Sequence, residues 1–236
     1  MTTRNVFVTG GTGYVGRALI DRLFERGHQV RALVRRGSEN RLSPDCEAVI
    51  GDALDVSSFA DQVQPSDTFV QLVGVAHPSP AKAAEFRSVD LASARASVSA
   101  AAGAGITHFI YVSVAQPSPV MKAYQAARAE GEQMIRDSGL NATILRPWYV
   151  LGPGHRWPYA LKPMYWLFER LPATRETASR LGLVTLEEMV SALEQSVESP
   201  PPNQIRILEV PAIRSSVSAN RPALASASTR SRLSQF

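Results

Sequence analysis

The chain has 236 residues, 44% hydrophobic and 19% charged, which suffices for one α/β domain with a small appendage and is too short for two full domains. Its 25 basic and 21 acidic residues give a formal charge of +4, and residues 214–236 carry four arginines and no acid. Without those four the body holds 21 basic against 21 acidic residues, so it lacks the basic excess that docking on nucleic acid requires.

Asn5–Thr9 (NVFVT) reads as an apolar strand, followed by glycines and by a helix, Tyr14–Arg26, that stops at Gly27. In that helix Val15, Leu19 and Leu23 recur every four residues with Ala18 beside them, which marks the buried face. Strands are predicted at Gln29–Val34, Glu47–Ile50 and Thr68–Val73, with a short helix at Ser57–Val63 between the last two. A long Ala/Ser-rich helix over about 81–102 leads to strand Thr107–Val112, then a helix over about 120–138 and strand Ala142–Leu145. This alternation predicts a Rossmann-like, doubly wound parallel sheet.

Beyond Arg146-Pro147 the alternation weakens and aromatic residues crowd together, from Trp148 and Tyr149 through Trp157, Tyr159, Tyr165 and Trp166 to Phe168. A helix at Leu186–Ser196 and a strand at Ile205–Val210 complete the foldable part. The chain therefore divides into a Rossmann domain over 1–147, a reduced C-terminal lobe over 148–213 packed on the same domain, and a disordered basic tail over 214–236. No apolar run approaches the roughly 18–20 residues of a membrane-spanning helix. The first strand begins almost at once, so neither a signal nor a transit peptide is expected, and the location expected is cytoplasmic.

The first strand runs into Thr9-Gly10-Gly11-Thr12-Gly13-Tyr14-Val15-Gly16, whose glycines fit both G-x-G-x-x-G and G-x-x-G-x-x-G. The early glycines permit a tight turn and close approach of a pyrophosphate, the last lets helix pack on strand, and the helix N-terminus favours negative charge. The alternative is a glycine-rich turn without a ligand; the flanking strand and helix favour the dinucleotide. The second strand ends Val34-Arg35-Arg36-Gly37, with no acid before Glu39. An acid there would bind the ribose 2′-OH of NAD, whereas Arg35 and Arg36 suit the 2′-phosphate of NADP, unless they are simply solvated. NADP(H) is expected over NAD(H).

By these features the sequence resembles the atypical, extended short-chain dehydrogenase/reductases, and within them the NAD(P)H-binding NmrA-like group, itself similar to the complex I 39-kDa-subunit proteins. The resemblance rests on TGGTGYVG at 9–16, GDALD at 51–55, YVSV at 111–114, and YQAARAEGE with LRPWYVLGPG across 124–154. It implies that Asp52 meets the adenine amino group, that Ala53 or Leu54 flanks the ring, and that Val73, Gly74 and Val75 lie under the riboses. It also implies that Pro147 sits beside the nicotinamide.

In reductases of this superfamily a tyrosine donates a proton to the substrate carbonyl, a lysine four residues later holds the ribose, and a serine after the fifth strand orients the substrate. Tyr124 and Ser113 match the tyrosine and serine, and Arg128 stands where lysine is expected. One helical turn apart, Tyr124 and Arg128 share a face, but arginine does not readily release a proton. Lys122 points to another face. Without the family pattern, Ser113 reads more readily as a strand-end turn residue, and Tyr124 as helix packing, than either does as a catalytic group.

His77 and His155 are further candidates near the nicotinamide end, and the four histidines show no metal-ligand spacing. The single cysteine, Cys46, excludes an internal disulfide framework and a cysteine-built metal cluster, and reads as structural. No G-x-S-x-G elbow supports a hydrolase. The aromatic segment suits an apolar pocket for a quinone, lipid-like or aromatic ligand, or merely caps the sheet, or faces a membrane surface. The function expected is NADP(H)-dependent reduction of a small carbonyl, quinone or similar apolar acceptor. The alternative is a non-catalytic NADP(H)-binding sensor or accessory subunit with a protein partner, and sugar-nucleotide epimerisation is a third.

Overall fold

In the computed structural model, residues 2–118, 120–151, 181–202 and 204–219 are described. Seven parallel strands form the main sheet: β1 (Asn5–Thr9), β2 (Gln29–Val34), β3 (Glu47–Ile50), β4 (Thr68–Gln71), β5 (His108–Val112), β6 (Ala142–Arg146) and β9 (Ile205–Glu209). Their order, β3-β2-β1-β4-β5-β6-β9, places the change of winding direction between β1 and β4. A crevice opens at that switch point, outside the carboxyl ends of the strands.

Both faces of the sheet are covered. On one, α1 (Tyr14–Glu25) buries Leu19, Ile20 and Leu23 with Val6, Val8 and Val70 of the sheet. Helix α5 (Leu186–Glu198) adds Met189 and Leu193 to the same core, and α6 (Val210–Ala219) adds Val210 and Ile213. On the other face, α3 (Ala92–Gly103) and α4 (Lys122–Asp137) pack over a stack of Phe7, Phe69 and Phe109, whose neighbouring ring centroids lie 5.2 and 5.3 Å apart. Burying each such ring or aliphatic side chain is worth about 1.5–3 kcal/mol.

Several elements differ from their expected form. The helix expected at 57–63 is two 3₁₀ turns, Val56–Ser58 and Ala60–Gln62. Strand β4 ends at Gln71 because that side chain turns inward, its amide donating to Ser93 Oγ at 3.0 Å while its oxygen accepts from Val73 N–H. The long helix expected over 81–102 starts as a 3₁₀ turn and a short α2 (Ala83–Glu85), then passes through a π-helical stretch, Phe86–Leu91, before α3. A small parallel pair, β7 (Tyr149–Leu151) and β8 (Leu183–Thr185), was not foreseen. Thr185 and Glu188 close a reciprocal capping box at the start of α5, the T-x-x-E signature.

The disordered tail expected from Arg214 instead begins inside a helix: α6 runs to Ala219, and Arg214 Nε donates to the Leu183 carbonyl at 2.9 Å. Val210 and Ile213, three apart and fully buried, give that helix an inward face which its serines and alanines disguise. Arg221, Arg230 and Arg232 lie outside the described residues, as do His155 and five of the seven aromatics between 148 and 168. Among the described residues no helix is long and apolar enough to cross a membrane, and no cluster of His, Cys, Asp or Glu could hold a metal.

Candidate functional site

The four strand ends at the switch point enclose a cavity of about 380 Å3. Gly10, Thr12 and Gly13 contribute from the loop after β1, and Val34, Arg35 and Ser38 from the end of β2 and its loop. Gly51, Asp52, Ala53 and Leu54 line it after β3, and Leu72, Val73 and Gly74 after β4. Register explains the convergence, since Thr9 pairs with both Leu33 and Gln71, and Val34 with Ile50, so the four chains leave the sheet together.

The loop after β1 is built for close approach. Gly10 has φ +78°, and a Cβ there would lie 2.9 Å from the Leu72 backbone. A Cβ on Gly16 would collide with the Gly10 carbonyl, so only glycine lets α1 start this near the strand. Gly13 caps α1 without any side-chain hydrogen bond, which leaves first-turn N–H groups of a twelve-residue helix available to an anion. These features fit a dinucleotide pyrophosphate.

Of the other expected cofactor residues, Thr9, Gly11, Tyr14, Val15, Arg36, Val75 and Pro147 are not in this lining, whereas Asp52 is. Thr9 and Gly11 are buried in the strand-to-helix turn, and Val15 packs against the core. Tyr14 leaves the loop toward β7, where its hydroxyl donates to the Val150 carbonyl at 3.2 Å. Arg36 is exposed and Pro147 buried, its carbonyl accepting from Ala115 N–H at 2.9 Å. Val75 N–H donates to Asp90 Oδ2 at 3.1 Å. Asp52 is exposed, with Oδ1 accepting from Leu54 N–H at 3.0 Å. Sequence reasoning missed Leu33, Val34, Ser38, Gly51, Leu72 and Val89 of the lining. The strand-end residues follow from register alone, whereas Val89 reaches the cavity through the π-helical stretch, which leaves no periodic signal.

At the β5–α4 corner the three expected catalytic residues have different surroundings. Tyr124 is half-buried, its ring 4.9 Å from that of Phe86. Arg128 lies beneath the groove floor, where a Cβ on Gly74 would strike its Nη2. Its guanidinium pairs with Asp90 at 2.5 Å, donates to the Val112 carbonyl at 2.9 Å, and sits over the rings of Tyr124 and Tyr111 at 5.3 and 5.7 Å. Burial opposes its charge, but Tyr124, Tyr111 and Asp90 outweigh burial and hold it protonated above the ordinary arginine range.

Ser113 is buried and donates to Glu132 Oε1 at 2.7 Å. Glu132 also accepts from Gln116 and twice from Arg146, whose other arm reaches Glu209. Burial would raise the Glu132 carboxyl, but the hydrogen bonds from Arg146 and Ser113 and the arginine charges hold it below the usual carboxylate range. Structure thus joins Arg128 with Tyr124, and ties Ser113 into a separate network. A further phenol stands nearby: burial, then the hydroxyls of Tyr149 and Tyr124, push Tyr14 up to about 12. His77 is an exposed loop residue with φ 51°.

The comparisons with known proteins agree with this geometry. A family model described as NAD(P)H-binding matches residues 10–157, from the glycine loop through β7. Ceramide reductase of Caulobacter vibrioides is 28% identical over 197 residues, 83% of this chain and 61% of that protein. The chloroplastic divinyl chlorophyllide a 8-vinyl-reductase of Zea mays is 27% identical over 157 residues, covering 60% of this chain and 39% of its own length. The chain thus spans about two fifths to three fifths of these two relatives. A short-chain dehydrogenase/reductase superfamily protein from Agrobacterium tumefaciens, solved with bound NAD, shares the fold at a TM-score of 0.64 and 18% identity over 91% of this chain and 82% of that one. The fold is that of the short-chain dehydrogenase/reductases and epimerases, and on the family match across its groove the chain belongs to the NAD(P)H-binding family.

Proposed function

We propose that the chain is an NADP(H)-dependent oxidoreductase that reduces a small carbonyl, quinone or similar apolar acceptor. The observation that carries this reading is Tyr124, a half-buried phenol with a buried cation on its ring face, beside a groove that fits a dinucleotide. A nicotinamide dinucleotide, if held there by the glycine loop and the strand ends, would supply the hydride. Tyr124 donates the proton to the reduced oxygen, and the Arg128 charge offsets the negative charge that develops on the phenol. The hydroxyl of Ser113 is engaged by Glu132, which supports a role in fixing the β5 end that carries the corner. Arg35 at the end of β2, where NAD would require an acid, supports NADP(H). A relative named for ceramide supports an apolar acceptor.

One observation favours a second reading, a non-catalytic NADP(H) sensor. Arg128 is spent on Asp90 and Val112 beneath the groove, and cannot move a proton as a lysine could. Parallel calorimetric titrations with NADPH, NADP⁺ and NADH, followed by NADPH consumption with a panel of apolar carbonyls and quinones, separate the two. The enzyme reading expects NADPH to bind more tightly than NADH and to be consumed with at least one acceptor class. Tight binding without consumption favours the sensor, and no binding sinks both.

A further inference from the structure

A second cavity, of about 430 Å3, lies between α5, β9 and α6. Arg206, the second residue of β9, lines it near the amino ends of the parallel strands, whereas the groove opens at their carboxyl ends. Among the described residues Arg206 is the only charged side chain in the lining. Hydroxyls surround it: Ser196 and Ser199 at the end of α5, and Ser215 and Ser216 on α6.

The guanidinium is fixed in place but not neutralised. Its Nη2 donates to Thr143 Oγ1 at 3.1 Å, and that hydroxyl lies 3.0 Å from His108 Nε2, so the chain of contacts is uncharged beyond the arginine. Its Nε is buried without a hydrogen-bond partner. The acids of the surrounding elements are engaged elsewhere: Glu187 and Glu194 with Arg22, Glu188 in the cap of α5, Glu198 facing His28, and Glu209 with Arg146. Helix α6 has no acid. Among the described residues no carboxylate pairs with Arg206, and burial, with no acid to oppose it, pulls the guanidinium below the ordinary arginine range. A partly buried cation is costly until an anion completes it.

We propose that this cavity binds a small phosphate-bearing anion, anchored by Arg206 and hydrogen-bonded by hydroxyls of α5 and α6. Arg206 Nη1 makes no hydrogen bond among the described residues, and neither does the Ser199 hydroxyl. Ser196, Ser215 and Ser216 donate to the carbonyls of Ala192 and Ala212, and each turns toward a ligand by rotation about one bond. Donors that converge from a strand and two helices suit a tetrahedral oxyanion, which offers three oxygens, better than a flat carboxylate, which offers two. The inference is independent of the oxidoreductase reading, because the cavity shares no residue with the groove.

The test is calorimetric titration of the wild-type protein, R206Q and S215D with inorganic phosphate, phenyl phosphate and acetate. S215D keeps Arg206 and sets a carboxylate beside it on an exposed position of α6, so it blocks the cavity without removing a core contact. Wild type should bind both phosphates at least about tenfold more tightly than acetate, and each variant should weaken phosphate by about tenfold or more. Phosphate should also slow hydrogen exchange over residues 195–216 of the wild-type protein. The glycine loop is itself able to take phosphate, so the titration is repeated with NADPH present. Phosphate binding that NADPH abolishes, or that survives in a folded R206Q or S215D, overturns the assignment; if one variant fails to fold, the other decides. Acetate bound as tightly as phosphate, or no phosphate bound up to about 10 mM, overturns it too.

Discussion

The groove at the β1–β4 switch point and the corner between β5 and α4 lie side by side but are built from different materials. The groove is made of backbone, glycines and the ends of strands, and its charged members, Arg35 and Asp52, stand at its exposed rim. The corner is made of buried ions: Arg128 with Asp90, and Glu132 with Arg146 and the Ser113 hydroxyl. The contrast is physical: the groove rests on backbone approach and glycines, whereas the corner rests on buried ion pairs that the loss of one partner would unbalance.

The sharpest way to break this contrast is to remove the carboxylate under Arg128. Both partners are almost wholly buried, so Asp90→Ala leaves an unpaired charge and should destabilise the fold by about 3–5 kcal/mol in urea unfolding. A double variant, Asp90→Ala with Arg128→Met, should recover most of that loss. A single variant as stable as wild type would show that the pair carries no weight.

In the groove the expected loss falls on binding. Gly16→Ala places a methyl group against the Gly10 carbonyl, a clash with backbone that costs roughly 1–3 kcal/mol, or about 5- to 150-fold in NADPH affinity if the loop yields. Calorimetry on the variant checks this, and unchanged affinity would contradict the close-approach argument.

A third difference is in response to acid, and it comes from neither region. His108 is buried beside Thr143, and burial with the charges of Arg206 and Arg4 lowers its pKa to about 3, against an ordinary 6.5. The unfolded chain therefore binds a proton below pH 6.5 that the folded chain refuses until about pH 3. Stability from this group is full above 6.5 and falls as the pH drops, by about 2 kcal/mol between pH 6.5 and 5. His108→Gln should remove that part of the slope in urea melts at the two pH values. An unchanged slope would place the titration elsewhere.

The smallest effect is expected at Ser113. Glu132 keeps its bonds from Gln116 and Arg146, so Ser113→Ala should cost only about 1 kcal/mol of stability and change turnover less than about threefold. A turnover loss of orders of magnitude would make Ser113 a catalytic residue.

What was legible in the sequence follows the same division. The strand, glycine loop and helix over 5–25 read directly because their contacts are local and their glycines follow a spacing dictated by backbone approach. The doubly wound parallel sheet followed from the alternation of strands and helices, whereas its strand order came from the structure. Asp90 was invisible as the partner of Arg128 because a π-helical stretch turns it inward, against any 3.6-residue pattern. The cavity at Arg206 was invisible for another reason: Ser215 and Ser216, which wall it, lie in the stretch that reads as a disordered tail. The strands β7 and β8 are three residues each, too short for alternation to declare them.

Tyr124→Phe tests the proposed proton donor most directly. NADPH consumption with the best apolar carbonyl acceptor should fall by roughly 10²–10⁴-fold in that variant, while NADPH affinity measured by calorimetry stays within about twofold. Unchanged consumption would contradict the assignment of the proton donor, and a wild-type protein that binds NADPH but consumes none with any acceptor would contradict the enzyme reading itself.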